Sequence, residues 1–212
     1  MAWANSRGHD NAASDDTASR IAEQRDERLS IGSTNAPVKI VEFADMLCPY
    51  CARAHKDIIP RIKQDYIAKE KAHFEMRLVA VTSPDSRRAA EAAYCAAEQD
   101  KFWDFIDTSY KITWNEFYSK DADTSEVDTF SAGKIGRIAE EIKLDRFLWQ
   151  DCIDSGKYGS VIDANKQTMT ELKAFGTPHY LFNEQSYNGA PPYTFFEKAI
   201  DAEYERVVDE NK

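Results

Sequence analysis

Apolar positions fall in a few runs along the 212 residues, and their spacing sorts them into strands and helices. Residues 38–44 are apolar apart from Lys39 and Glu42 and β-branched at Val38, Ile40 and Val41, the pattern of an interior strand buried on both faces. Pro49 comes soon after and suits a first helical turn, where its missing N–H costs nothing. Beyond it Ile58, Ile59, Ile62, Tyr66 and Ile67 form a helical stripe reaching about residue 71, which Pro60 should kink. Residues 73–81 alternate at Phe74, Met76, Leu78 and Ala80 and then become fully apolar, which predicts a second interior strand. A strand, a helix and another strand make a βαβ unit, so the two strands should be parallel.

From residue 84 to about 157 the spacing is helical throughout, with an alanine-rich segment at 87–99, an aromatic stripe at 102–110, and further segments at 135–142 and 147–153. A helix over 161–175 is expected to stop at Gly176 in a left-handed conformation. Residues 178–182 and 186–189 flank the turn residues Asn183, Glu184 and Gln185 and predict a β-hairpin. Thr194 and Glu197 have capping-box spacing and should open a last helix running to about residue 209. At the other end, residues 1–16 are small and polar and predict a flexible tail, and residues 17–29 a short polar helix. The cluster from Gly32 to Pro37 reads as a turn into the first strand.

Composition narrows the class. With 42% hydrophobic and 12% aromatic residues the chain can bury a core, and its formal charge of −10 argues against nucleic acid as a partner. No run approaches the roughly 18 apolar residues that would span a bilayer, and residues 1–20 lack the apolar core of a secretory signal.

The candidate chemistry sits where the first strand meets the first helix, at Cys48-Pro49-Tyr50-Cys51. Cys48 falls at or beside the N-cap, where unpaired backbone N–H groups and the positive end of the helix dipole favour an anion. A free thiol is only about 3% ionised at pH 7, so a pKa lowered by two or three units would make Cys48 mostly thiolate. Cys51, one turn on, lies within reach to close a small disulfide and exchange it with another dithiol. Half of a zinc site uses the same spacing, so the motif alone leaves redox chemistry and metal binding both open.

The order of strand, Cys-Pro-Tyr-Cys, kinked helix, strand, helical block, Gly176-Thr177-Pro178 before a hairpin, and final helix resembles the DsbA family of thiol-disulfide oxidoreductases. The likeness spans about residues 31–208 and rests on residues 43–51 and 176–182, with residues 92–103 also similar to that family's insertion. It implies an α/β, thioredoxin-like fold with an inserted all-helical domain. Residues 29–82 and 161–209 would form the discontinuous thioredoxin-like domain, 83–160 the insertion, and 1–28 the tail and short helix. By the same resemblance Cys48 is the nucleophile, Cys51 its resolving partner and Pro178 a cis-proline facing the disulfide. Pro49, Tyr50, Thr177 and Pro178 would contact substrate, Thr177 through its backbone. Glu42 would sit beneath the disulfide as a proton acceptor for Cys51, its own pKa raised by burial. Tyr50 stands where the family's strongest oxidants carry histidine, which leaves the direction of catalysis open.

Several residues outside the motif carry further expectations. Lys39 is expected to reach solvent rather than pair with Glu42, and His55 to be a solvated surface histidine. His179 is expected to be structural, while Met46, Leu47, Tyr50 and Thr177 would form an apolar collar around the active sulfur or equally be core packing, since Met and Leu before a helix are usually buried. Cys95 and Cys152 favour a structural disulfide enclosing a loop worth about 4 kcal/mol, with buried free thiols, a metal site or a second redox pair as alternatives. The activity expected is oxidation of reduced, cysteine-containing exported proteins, with no cofactor beyond the Cys48–Cys51 disulfide and no metal. A membrane-bound or soluble redox partner would reoxidise the pair. The chain is expected to be a monomer in an extracytoplasmic compartment, its signal or anchor missing from these 212 residues. A reductase or isomerase, a non-catalytic peptide-binding or chaperone module, and a zinc protein are the rival readings.

Overall fold

The computed structural model describes residues 11–12, 21, 26–120 and 130–210. The expected tail and most of the expected helix over 17–29 lie outside the described residues; Glu27–Leu29 forms one 3-10 turn capped by the Asp26 side chain. The sheet strands are β1 (Asn11–Ala12), β2 (Ser30–Ile31), β3 (Val38–Ala44), β4 (Ala72–Leu78), β5 (His179–Phe182) and β6 (Gln185–Asn188), in the spatial order β1-β6-β5-β3-β4-β2. The β3–β4 pair is parallel and the other pairs are antiparallel. The mixed sheet thus has β3, the strand that leads to the cysteines, near its middle.

Helices α1 (Pro49–Asp57) and α2 (Ile59–Ile62) follow β3, with a π-helical turn over Lys63–Ile67. The break at Ile58 falls where Pro60 cannot supply its N–H, and Ile58, Ile59 and Ile62 are buried beneath it. The rest is α3 (Asp85–Ala97), α4 (Phe102–Glu116), α5 (Ala132–Glu141), α6 (Arg146–Ser155), α7 (Gly159–Glu171) and α8 (Tyr193–Glu210). None of these is long and apolar enough to cross a membrane, among the described residues.

β4 is covered on both faces, so its polar positions are interior too. Arg77 Nε is 2.7 Å from Glu75 Oε1, and Arg77 Nη2 donates to the Ile21 carbonyl at 2.7 Å. On the other face Tyr94 of α3 accepts from the Leu78 N–H at 2.8 Å and from Asn165 of α7 at 2.9 Å, which joins strand and helices through one buried hydroxyl. The β2–β4 edge needs Gly32: its φ is +95°, and a Cβ there would sit 2.8 Å from the Ala72 carbonyl.

Several boundaries differ from the sequence expectation. α7 ends at Glu171, with Lys173 taking a positive φ of 54°, so the helix stops before Phe175 and Gly176 and leaves Phe175 exposed. The hairpin turn is Asn183 and Glu184, with Gln185 already in β6; the Asn183 side chain accepts from the Lys39 N–H at 2.8 Å and so anchors the turn to β3. α8 begins at Tyr193, which places Thr194 inside the helix rather than at its cap.

Cys95 of α3 and Cys152 of α6 are joined by a disulfide, both buried. The sequence separation of 57 sets the effect. Replacing both by alanine should lower the unfolding free energy by about 4 kcal/mol, measured by urea titration of the otherwise oxidised chain.

Candidate active site

β3 delivers the chain to the site, and Asp45 turns it. This carboxylate is fully buried and accepts four hydrogen bonds: Leu47 N–H at 2.9 Å and Ser86 Oγ–H at 2.8 Å on Oδ1, and the Val81 and Thr82 N–H groups at 2.8 Å each on Oδ2. Tyr110 of α4 donates to the Asp45 carbonyl at 3.1 Å, and Tyr118 donates to the Leu47 carbonyl at 2.5 Å. The turn that presents the cysteines is therefore fixed by the loop after β4, the start of α3 and the end of α4. Asp45 escaped the sequence reading; a lone acid closing an apolar strand three residues before a cysteine was the available signal.

Cys48 is the N-cap of α1, with Pro49 at the first helical position. The sulfur meets no geometric capping bond, yet its environment holds the thiol at about 6. The largest cause is a hydrogen bond from the Cys51 thiol, opposed by burial and reinforced by Thr177 and by the Cys51 and Tyr50 backbone N–H groups. As a thiol, Cys48 donates to the Thr177 carbonyl at 3.2 Å. Cys51 is fully buried and shifted the other way: burial, its hydrogen bond to Cys48 and the charges of Cys48 and Glu42 all hold its pKa well above the ordinary value.

Glu42 lies on β3 directly across from Tyr180 of β5, and Tyr180 donates to its Oε1 at 2.9 Å. Its Oε2 is buried with no hydrogen-bond partner among the described residues. Burial raises its pKa to about 8, with the Tyr180 bond opposing and the Cys48 charge adding. Lys39 instead reaches the Thr34 carbonyl. The Thr177–Pro178 peptide is cis, and Pro178 is buried where Thr177 meets Cys48.

One expectation about the surroundings is decided and another corrected. Met46 and Leu47 are buried core residues, so they form no collar; the exposed surface near Cys48 comes from Pro49, Tyr50 at 57% exposure and Phe175 at 83%. His55 is buried rather than solvated: its ring stacks on Tyr110 at 4.6 Å, and its Nδ1 is 3.5 Å from Asp107 Oδ1. α4 covers that face of α1, which local spacing around His55 does not reveal. His179 is also buried, its ring nitrogens 3.0 Å from Asn188 Oδ1 and 3.0 Å from Ser186 Oγ. Among the described residues no group of three or more His, Cys, Asp or Glu could hold a metal ion.

The arrangement can do dithiol exchange. One sulfur is a stable anion, its neighbour a retained thiol, and a buried carboxyl of raised pKa is coupled electrostatically to both.

A family model described as thioredoxin matches residues 24–202. The chain is 30% identical over 181 residues to the probable disulfide bond formation protein D of Bacillus anthracis, covering 84% of this chain and 78% of that protein. It is 26% identical over 176 residues to disulfide bond formation protein D of Bacillus subtilis strain 168, covering 82% and 75%. Among solved structures, oxidised BdbD from Bacillus subtilis matches with a TM-score of 0.72 at 24% identity, over 84% of this chain and 92% of that one. Alpha-DsbA1 from Wolbachia pipientis matches with a TM-score of 0.73 at 19% identity, over 87% and 94%.

Alkylation of the reduced protein by iodoacetamide should follow a single titration with a midpoint of about 6, set by Cys48. A midpoint above 8 contradicts the thiolate assignment. Glu42 has the opposite linkage: its folded pKa lies above its unfolded one, so it favours the fold below about 4.5 and that contribution is lost as pH rises toward 8. Glu42→Gln should flatten this loss, so the reduced variant gains stability relative to wild type between pH 5 and 8 in parallel urea titrations.

Proposed function

The chain belongs to the thioredoxin family, and from that premise we propose that it is a DsbA-like protein disulfide oxidoreductase that introduces disulfides into exported client proteins through Cys48. The observation that carries this reading is the opposite shift of the two thiols, Cys48 to about 6 and Cys51 well above its ordinary value.

In the oxidised enzyme a client thiolate attacks the Cys48 sulfur. A client–Cys48 bond forms, the Cys48–Cys51 bond breaks, and the electron pair leaves on the Cys51 sulfur, which takes a proton. Glu42, whose burial beneath the pair holds its pKa above the ordinary carboxyl value, supplies that proton and regains it when the pair is reoxidised. The client's second thiolate then attacks the client sulfur of the mixed disulfide. The client disulfide closes and Cys48 leaves as a thiolate, a good leaving group at its low pKa. Two electrons remain on the enzyme dithiol, so a membrane-bound or soluble disulfide partner must remove them. Thr177 beside Pro178 offers its backbone to an extended client segment, and Pro49 and Tyr50 flank the sulfur.

We read residues 29–82 and 161–209 as one discontinuous unit and 83–160 as a helical insertion stapled by Cys95–Cys152. That buried disulfide favours an oxidising, extracytoplasmic compartment. A milder oxidant, or a reductase, is the second reading. A thiol at about 6 stands nearer the roughly 7 of thioredoxin than the roughly 3.5 of DsbA.

Cys48→Ser should abolish oxidation of a reduced model protein, while Cys51→Ser carrying glutathione as a mixed disulfide on Cys48 should exchange it for a single-cysteine client, with glutathione leaving as the thiolate, and accumulate the Cys48–client disulfide on a non-reducing gel. Undiminished oxidation by Cys48→Ser refutes the proposal. Equilibration with glutathione should give a potential well above the about −270 mV of thioredoxin, toward the about −120 mV of DsbA, and one near the thioredoxin value assigns reduction as the direction.

A further inference from the structure

Beside Cys48 lies a groove of about 490 Å³ lined by Tyr50, Arg53, Phe175, Thr177 and the turn from Asn188 to Pro191. Thr177 links it to the reacting sulfur, since the Thr177 carbonyl is 3.2 Å from Cys48 Sγ. Its far wall is built rather than loose. Asn188 Oδ1 accepts from the Phe175 N–H at 3.0 Å and faces His179 Nδ1 at 3.0 Å, and the Gly189 N–H donates to the Pro178 carbonyl at 2.8 Å.

The groove has one charge. The chain carries 37 acidic and 27 basic residues, yet no acid lines this groove, and Arg53 is its sole charged side chain. The Arg53 guanidinium is exposed, lies 5.3 Å from the centre of the exposed Tyr50 ring, and forms no ion pair among the described residues. Several other arginines are engaged, Arg28 with Asp26, Arg77 with Glu75, Arg87 with Asp163 and Arg206 with Glu203, while Arg61, which lies over the Tyr193 ring, does not line this groove. A cation held over an aromatic face at the edge of an apolar groove, with no acid paired to it among the described residues, is available to a carboxylate from outside.

We propose that Arg53 is a specificity-determining residue that selects client segments carrying Asp or Glu within a few residues of the attacking cysteine. The inference rests on the oxidoreductase reading above. An extended segment paired with the Thr177 backbone places alternate side chains toward the groove, so a carboxylate near the cysteine reaches Arg53 while an ammonium meets a like charge. The acidic surface elsewhere repels acidic clients at long range, and Arg53 reverses that sign where the sulfur is attacked.

The test uses dithiol peptides identical except for Asp, Asn or Lys two residues from the attacking cysteine. Their oxidation by the oxidised full chain is followed for wild type, R53K, R53Q and R53E. Wild type should favour Asp over Lys by about fivefold in kcat/KM at low salt, the size of one exposed charge pair gained and one repelled. R53K should keep the order, R53Q should bring the ratio near one, and R53E should invert it. The ratio of ratios cancels the intrinsic reactivity of each peptide thiol. A wild-type preference that R53Q and R53E leave unaltered, or no preference at all, overturns the role of Arg53 while Asn-peptide oxidation upholds the activity. Failure of wild type to oxidise any of the three peptides sinks the oxidoreductase reading itself.

Discussion

The Asp45 carboxylate is the constraint on which the site depends. Its side chain is fully buried, and its two oxygens are satisfied by four hydrogen bonds. Those donors come from the start of the cysteine turn, from the loop after β4 and from α3, so the residues that satisfy the two oxygens also fix where β3 ends. Cys48 N–H donates to the Asp45 carbonyl at 3.0 Å, which sets the sulfur at the mouth of α1. Once placed there, the sulfur meets the Cys51 thiol from within the helix and Thr177 from across the sheet. The acidity of Cys48 follows from that placement.

Thr177 arrives from 129 residues away, and the sheet explains how. β5 pairs with β3 antiparallel, with Phe43 opposite His179 and Glu42 opposite Tyr180. The two residues before β5, Thr177 and Pro178, therefore lie beside the end of β3, where the cysteines begin. The same register puts the Tyr180 hydroxyl on Glu42. His179 holds the hairpin closed through Ser186 and Asn188, which also shapes the groove wall. A histidine beside the active proline thus acts through the fold, consistent with its complete burial.

Much of the scaffold was legible because it is local. The β-branched run of residues 38–44, the alternation at Phe74, Met76 and Leu78, and the kink before Pro60 are each written in adjacent residues, and the structure has all three. What escaped was written between distant ones. His55 looks like a surface residue until α4 brings Tyr110 and Asp107 over it, 52 or more residues later. Met46 and Leu47 read equally as collar or core, and only the Tyr118 and Tyr110 bonds to the turn decide for core. The Thr194 and Glu197 spacing predicted a cap, but the chain entering from Pro191 and Pro192 starts the helix a residue early, with the Phe195 N–H donating to the Pro192 carbonyl at 2.9 Å. The helix expected to end at Gly176 stops sooner because Lys173 takes the positive φ, which frees Phe175 to form the groove.

On the proposed mechanism, the protons beneath the thiols link the two halves of the redox cycle. Glu42 owes its raised pKa first to burial and additionally to the negative charge of Cys48, which is present only when the pair is reduced. Closing the disulfide removes that negative charge, so Glu42 becomes a stronger acid when the pair is oxidised, the state in which Cys51 is next to leave and needs a proton. Opening it restores the charge and makes Glu42 a better base for the thiol that must be deprotonated to close the ring again. On that mechanism the coupling moves proton affinity in the direction each half-reaction requires, at a carboxyl that accepts the Tyr180 hydroxyl at 2.9 Å.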